Sequence, residues 1–174
     1  MDKVFLVGLP ASGKTTIGKW LSQKMNWAFL DLDKCITEEF QISVRDFFDQ
    51  FGESAFREKE TEFLRSTETM TQVIIACGGG TAAHSDNMKW MQERGVTVFL
   101  NIDLGTIQTR IHANPHERPL FEGENIVEIR EKLQEMLTNR GDFYHKSKII
   151  WNKSMPNDYL HLAVNQMVTS SSLL

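Results

Sequence analysis

Near the start of the chain, Gly8-Leu9-Pro10-Ala11-Ser12-Gly13-Lys14-Thr15 matches the pattern G-x-x-x-x-G-K-[ST]. The chemistry such a pattern offers is a grip on phosphate. The two glycines let the backbone curl so that its N–H groups point inward at phosphate oxygens. A helix starting at its end adds partial positive charge at the same spot. Lys14 brings a mobile cation, and the Thr15 hydroxyl is the kind of oxygen that ligates Mg²⁺.

Two further stretches carry chemistry. In Asp31-Leu32-Asp33, alternation along an extended backbone puts both carboxylates on one side. Next to a metal-bound polyphosphate, one could hold the metal or its waters while the other accepts a proton from a hydroxyl. A strand-end turn with Asp33 capping a helix over residues 34–40 serves as well. In Gly78-Gly79-Gly80, glycine after glycine costs backbone entropy, which is useful where something must approach the main chain closely; a flexible turn is the plainer reading. Arg57, Arg118 and Arg140 are candidates for two-pronged grips on carboxylate or phosphate, although a single surface arginine is more often merely solvated.

These residues need elements to hold them. Apolar runs predict strands at 4–7, 28–30, 73–77, 96–102 and 149–151, mostly unbroken, as strands buried on both faces read. Helices are predicted between them. Ser43 with Asp46 caps one that Gly52 stops, and another runs from Ser54 to about Thr69. Ser85 starts a helix that ends at Gly95; Asp103, Asn125 and Asp158 start three more. Strands alternating with helices predict a three-layer α/β sandwich around a five-stranded parallel sheet. Residues 114–124, polar and with Pro115, Pro119 and Gly123, read as a long surface loop of the kind that serves as a lid, and 169–174 as a frayed tail.

The chain has 174 residues, 41% hydrophobic and 24% charged, which suits one soluble domain with a real core. A net charge of −4 argues against nucleic acid or an anionic membrane as the main partner. Met1-Asp2-Lys3 runs directly into a strand without a secretory pattern, and Cys35 and Cys77 have no C-x-x-C spacing, so a cytoplasmic protein with reduced, core-packed thiols is expected.

Taken together, residues 8–15, Phe29-Leu30-Asp31-Leu32-Asp33, Gly52-Glu53-Ser54-Ala55-Phe56-Arg57 with Glu60, Gly78-Gly79-Gly80, Arg118-Pro119-Leu120, and Arg140 with Tyr144 resemble the shikimate kinase family, in the nucleoside monophosphate kinase-like branch of P-loop proteins. The likeness spans about residues 3–151. It implies an enzyme that moves the γ-phosphoryl group of ATP to the 3-hydroxyl of shikimate, with one Mg²⁺, acting as a monomer in aromatic amino-acid biosynthesis. It implies a single kinase domain over 1–174, with a substrate-binding region at about 33–61 and a lid at about 112–124. By that resemblance Gly8, Ala11, Ser12, Gly13, Lys14, Thr15 and Thr16 bind the nucleotide, and Arg110 and Pro156 flank adenine. Thr15 and Asp31 serve the metal; Lys14, Asp33 and Arg118 are catalytic. Asp33, Arg57, Arg140, Gly79, Gly80, Phe48 and Phe56 hold the substrate, with Glu60 orienting Arg57. Two places depart from the commoner pattern: Gly141 after Arg140 is expected to loosen its helix, and Phe121 to alter lid packing.

A gluconate kinase-like enzyme of the same fold is the nearby alternative, but it should lack the combined D-x-D, G-E-x-x-F-R and triple-glycine set. A non-catalytic guanine-nucleotide switch would use N-K-x-D, where this chain has Asn152-Lys153-Ser154-Met155. A degenerate binding module would not need the whole set of charged residues.

Overall fold

The computed structural model describes residues 2–114 and 119–170. The element order is β1 (Lys3–Val7), α1 (Lys14–Met25), β2 (Ala28–Asp31), α2 (Leu32–Phe40), α3 (Val44–Ser66), β3 (Val73–Ala76), α4 (Asn87–Arg94), β4 (Val96–Leu100), α5 (Leu104–Ala113), α6 (Ile126–Tyr144), β5 (Ile149–Trp151) and α7 (Asn157–Ser170). Short 3₁₀ turns lie at Thr67–Thr69, Thr81–Ala83 and Pro119–Phe121. The strands form one five-stranded sheet in the order β2-β3-β1-β4-β5, every pairing parallel. All residues of β1, β3 and β4 are buried, so both sheet faces are covered and the layers number three.

The expected caps at Ser43, Asp103 and Asn125 all form. Ser43 Oγ accepts from the Asp46 N–H at 3.1 Å, Asp103 accepts from the Thr106 N–H at 2.8 Å, and Asn125 with Glu128 makes a full capping box.

Several expectations are corrected. α2 begins at Leu32 with the Asp31 side chain as its cap, so Asp33 lies in the first helical turn, not on an extended backbone beside Asp31. The physical reason is competition: the Asp31 carboxylate satisfies the helix start itself, at Lys34 N–H, and α2 opens two residues early. Gly52 does interrupt the helix as expected: at φ 82° and ψ 163° its backbone is not helical, so α3 consists of two helical stretches, 44–51 and 53–66, that meet at a kink. α4 starts at Asn87, because Ser85 is at φ 52° and a 3₁₀ turn fills the space before it. Gly141 does not loosen α6, which continues to Tyr144 and whose Gly141 carbonyl accepts from the His145 N–H at 2.9 Å. The segment after Arg118 is no exposed loop throughout: Phe121 is 1% exposed, and the Lys132 ammonium lies 5.4 Å over its ring. α7 holds through Ser170, so residues 169 and 170 are not frayed.

The main core is centred on the sheet, whose strands pack with residues of α1, α4, α5, α6 and α7. A separate apolar cluster joins α2 to α3 through Ile36, Phe47 and Phe56. Phe40 of α2 meets Phe47 of α3 edge-on at 5.0 Å between centroids, which holds the two helices together, while within α3 Phe56 meets Phe47 at 5.5 Å and Phe48 at 4.9 Å and joins its two halves.

Candidate active site

The loops that leave the carboxyl ends of the strands converge on one cavity of about 810 Å³. Its lining includes Ala11, Ser12, Gly13, Lys14, Thr15, Thr16, Asp31, Asp33, Phe48, Phe56, Arg57, Gly79, Gly80, Arg110 and Arg140. That is the place where open parallel sheets hold ligands, in a size that suits small molecules. Of the other expected residues, Gly8 stands behind the loop as a carbonyl acceptor, Arg118 lies outside the described residues, and Pro156 is not in the cavity lining. Trp151 and Lys153 form the wall on that side instead, because the chain reaches the cavity at the end of β5 and turns away before Pro156.

The phosphate loop holds its own cation in place. Lys14 Nζ donates to the carbonyls of Gly8 and Leu9, each at 2.9 Å. Gly13, at φ 99°, caps α1 with no side chain between the helix N-terminus and the cavity. Arg110 reaches back from α5 and donates to the Ala11 carbonyl at 2.9 Å. The Ser12 hydroxyl is buried and has no hydrogen-bond partner among the described residues. The Thr15 hydroxyl donates to the Asp31 carboxylate at 2.7 Å. This hydroxyl–carboxylate pair is a set of hard oxygens beside a phosphate cradle, which fits Mg²⁺, an ion that keeps several waters and takes few protein ligands.

The opposite end is a network around α3. Glu60, fully buried, accepts from Arg57 Nη1 and from the Thr81 hydroxyl, the latter at 2.6 Å. Arg57 also donates to Glu53 at 2.8 Å, and this bond holds the Glu53 carboxyl below the usual range. Burial opposes the charge on Arg57, but its pairs with Glu60 and Glu53 outweigh that and raise its pKa. The guanidinium lies 5.6 Å from the Phe56 ring centre and 5.9 Å from that of Phe48, which fixes it over an apolar wall.

The triple glycine has a steric cause. A Cβ on Gly78 would stand 1.8 Å from Glu60 Oε1 and 2.6 Å from Asp33 Oδ1. One on Gly80 would stand 2.5 Å from Arg57 Cζ. At Gly78 and Gly80 the backbone therefore lies flat against the charged groups, and a side chain there would have to displace them. The Gly79 carbonyl accepts from the Tyr144 hydroxyl, which ties α6, and with it Arg140, to this strand end. Burial pushes the Tyr144 phenol up to about 12, with Arg140 pulling the other way.

Asp33 stands between the two ends. Burial, with the Glu60 charge adding to it, pushes its carboxyl up to about 7, against the opposing pull of Lys14 and Arg57. A carboxylate that titrates near neutrality beside an oxygen-lined cleft can take a proton from a hydroxyl. Sequence reasoning did not single out Thr81, Trp151 or Lys153. Thr81 follows the glycines directly, but nothing in the residue types ties it to Glu60, 21 positions earlier.

A phosphate loop, a paired-arginine acceptor end and a carboxylate between them, on a five-stranded parallel sheet, define a P-loop kinase of the nucleoside monophosphate kinase-like kind, acting on a small molecule. The chain belongs to the shikimate kinase family: the family model described as shikimate kinase matches residues 10–167. A shikimate kinase from Bacteroides thetaiotaomicron is 36% identical over 152 residues, 87% of each chain. A crystal structure of shikimate kinase from the same organism superposes with a TM-score of 0.84 at 32% identity, covering 99% of both chains. Shikimate kinase from Acinetobacter baumannii, solved in complex with shikimate, gives 0.86 at 26% identity, covering 100% of this chain and 96% of that one.

Proposed function

We propose that the chain transfers the γ-phosphoryl group of ATP to the 3-hydroxyl of shikimate, giving shikimate 3-phosphate and ADP. The observation that carries this reading is the single cavity in which Lys14, Asp33, Arg57 and Arg140 all stand. A small carboxylated polyol needs a cationic fork at one end and an acceptor for its hydroxyl protons at the other. Arg57 and Arg140 are the fork, held by Glu60 and by the helix carrying Tyr144. Phe48 and Phe56 pack under the ring, and Gly79 and Gly80 let it lie against the backbone.

Phosphoryl transfer asks the protein for alignment and charge neutralisation more than for covalent chemistry. The loop's N–H groups and Lys14 hold the polyphosphate chain; Asp33 orients the attacking hydroxyl and takes its proton as the P–O bond forms. Thr15 would hold Mg²⁺ directly and Asp31 through its waters, and the ion when bound neutralises charge on the phosphates. Arg118 adds positive charge from its own segment, and Arg110 packs on the base. The reading also takes the chain as one kinase domain acting as a cytoplasmic monomer; no helix among the described residues is long and apolar enough to cross a membrane.

The test is a substrate panel: purified protein with Mg·ATP and shikimate, gluconate or nucleoside monophosphates in parallel, with products read by mass spectrometry. Phosphorylation of shikimate alone is expected. Turnover of gluconate, or of nucleotides, in preference to shikimate would overturn the assignment.

A further inference from the structure

Gly78-Gly79-Gly80 is followed by Thr81, a residue to which the proposed reaction gives no part. Thr81 opens the 3₁₀ turn Thr81–Ala83, and its N–H donates to the Gly78 carbonyl at 3.3 Å. Thr81 and Glu60 are both fully buried. The Thr81 hydroxyl donates to Glu60 Oε1 at 2.6 Å, while Glu60 Oε2 accepts from Arg57 Nη1. Asn87, buried on α4, fixes Thr81 from behind. Its amide nitrogen donates to the Thr81 carbonyl at 3.0 Å and to the Thr61 hydroxyl at 2.9 Å. The Thr61 hydroxyl in turn donates to the Arg57 carbonyl at 3.0 Å. These bonds close a ring through Arg57, Glu60, Thr81, Asn87 and Thr61, drawn from α3, the turn and α4.

What the ring controls is how Glu60 meets Arg57. A guanidinium carries two N–H groups on each terminal nitrogen and one on Nε. Glu53 takes the Nε–H and one on Nη2, and Glu60 takes one on Nη1. Among the described residues this leaves one N–H on each terminal nitrogen, on a side chain that is 12% exposed and lines the cavity. Carboxylate and guanidinium commonly pair through two parallel bonds. Glu60 makes only one, because Thr81 holds its second oxygen. Without that hydroxyl, Oε1 is a buried carboxylate oxygen lacking its donor, a costly state. Arg57, already on Oε2, is the donor beside it, and meeting both oxygens would use an N–H that a ligand's carboxylate needs.

We propose that Thr81 is a positioning residue for the acceptor. By holding one oxygen of Glu60 it limits that carboxylate to a single bond with Arg57, and so keeps the guanidinium open to the carboxylate of the substrate. The inference rests on the reading that Arg57 grips the carboxylate of shikimate.

Thr81→Val keeps the shape and removes the donor; Thr81→Ser keeps the donor. By calorimetry, Thr81→Val should weaken shikimate binding about five- to twenty-fold, and Thr81→Ser by less than about twofold. In steady-state kinetics the loss should fall on KM for shikimate, with KM for ATP and kcat each changed by less than about twofold. The methyl ester of shikimate, which lacks the anionic carboxylate, should bind Thr81→Val and the unmodified protein alike. A hydroxyl that merely stabilises the turn would weaken the ester, or ATP, along with shikimate, and either result overturns the proposal. So does unchanged shikimate binding by Thr81→Val. If Thr81→Val does not fold, Thr81→Ala is held to the same criteria. Shikimate turnover by the unmodified protein, measured alongside, separates a failure here from a failure of the proposed reaction.

Discussion

Asp33 is placed for reactivity at a cost in stability. With its carboxyl pushed up to about 7 by burial and by Glu60, the free enzyme holds it protonated below neutrality and ionised above. A base must be ionised to work, so kcat/KM for shikimate should rise with pH through about 7. A profile flat from about pH 5 to 8 would mean that Asp33 is not the base. The linkage has the opposite sign for stability. Between the ordinary value of 3.8 and about 7, the folded state holds a proton that the unfolded chain has shed, so stability declines as pH rises across that window and stays low above it. Asp33→Asn removes the ionisation. We expect it to lower kcat by about 10²–10⁴ while raising Tm at pH 8 by roughly 3–8 °C. Rate assays and calorimetry on the one variant check both signs; a fall in Tm, or near-normal turnover, would contradict the role given to this carboxylate.

At the scale of elements, the glycines separate what the sequence told from what it could not. The triple glycine was legible as a place of close approach, because three in a row have few other uses. What approaches was not legible: the Glu60 carboxylate comes from α3, and only the packing of α3 on the strand ends brings it within 1.8 Å of a Cβ on Gly78. Gly141 misled in the other direction. Its low helix propensity suggested a loosened helix end, but α6 is tied by the Tyr144 hydroxyl to the Gly79 carbonyl, and that tertiary tie overrides propensity. These two glycines should respond oppositely to the same change. Gly78→Ala must displace Glu60 from the Arg57 and Thr81 bonds, with an expected loss of about 3–5 kcal/mol and shikimate affinity lost with it. Gly141→Ala meets nothing nearer than Leu137 Cδ1 at 3.6 Å and should gain about 0.5–1 kcal/mol. Thermal melts of the two variants decide it; a Gly78→Ala protein as stable as the parent would mean that the close approach is not held in solution.

At the scale of the whole molecule, the parallel sheet was readable because its strands are nearly unbroken apolar runs, and the site was readable because its motifs follow those strands. Asp33 was found for its residue type while its backbone was misjudged, since a helix cap and a strand-end carboxylate look alike in one dimension. The division of labour along the sheet was not legible at all, because strand order is a property of the folded chain. That order spreads the cavity lining over two sides, with Asp33 and the glycines after β2 and β3, and the phosphate loop, Arg110, Trp151 and Lys153 after or near β1, β4 and β5; the proposed reaction would set the acceptor on the first side and the nucleotide on the second. Each ligand binds the folded state only, so each should raise Tm by mass action. At about 100 times Kd the stabilisation is about 2.7 kcal/mol, or roughly 5–11 °C for a chain of this size. Arg57→Ala should abolish most of the rise caused by shikimate and leave the rise caused by ADP within about 1 °C, because Arg57 sits at one end of the cleft and its partners Glu53 and Glu60 belong to α3 alone. Differential scanning fluorimetry with each ligand separately reads the two shifts. Equal loss of both would mean that the ends are not independent and that removing Arg57 unsettles the phosphate loop as well.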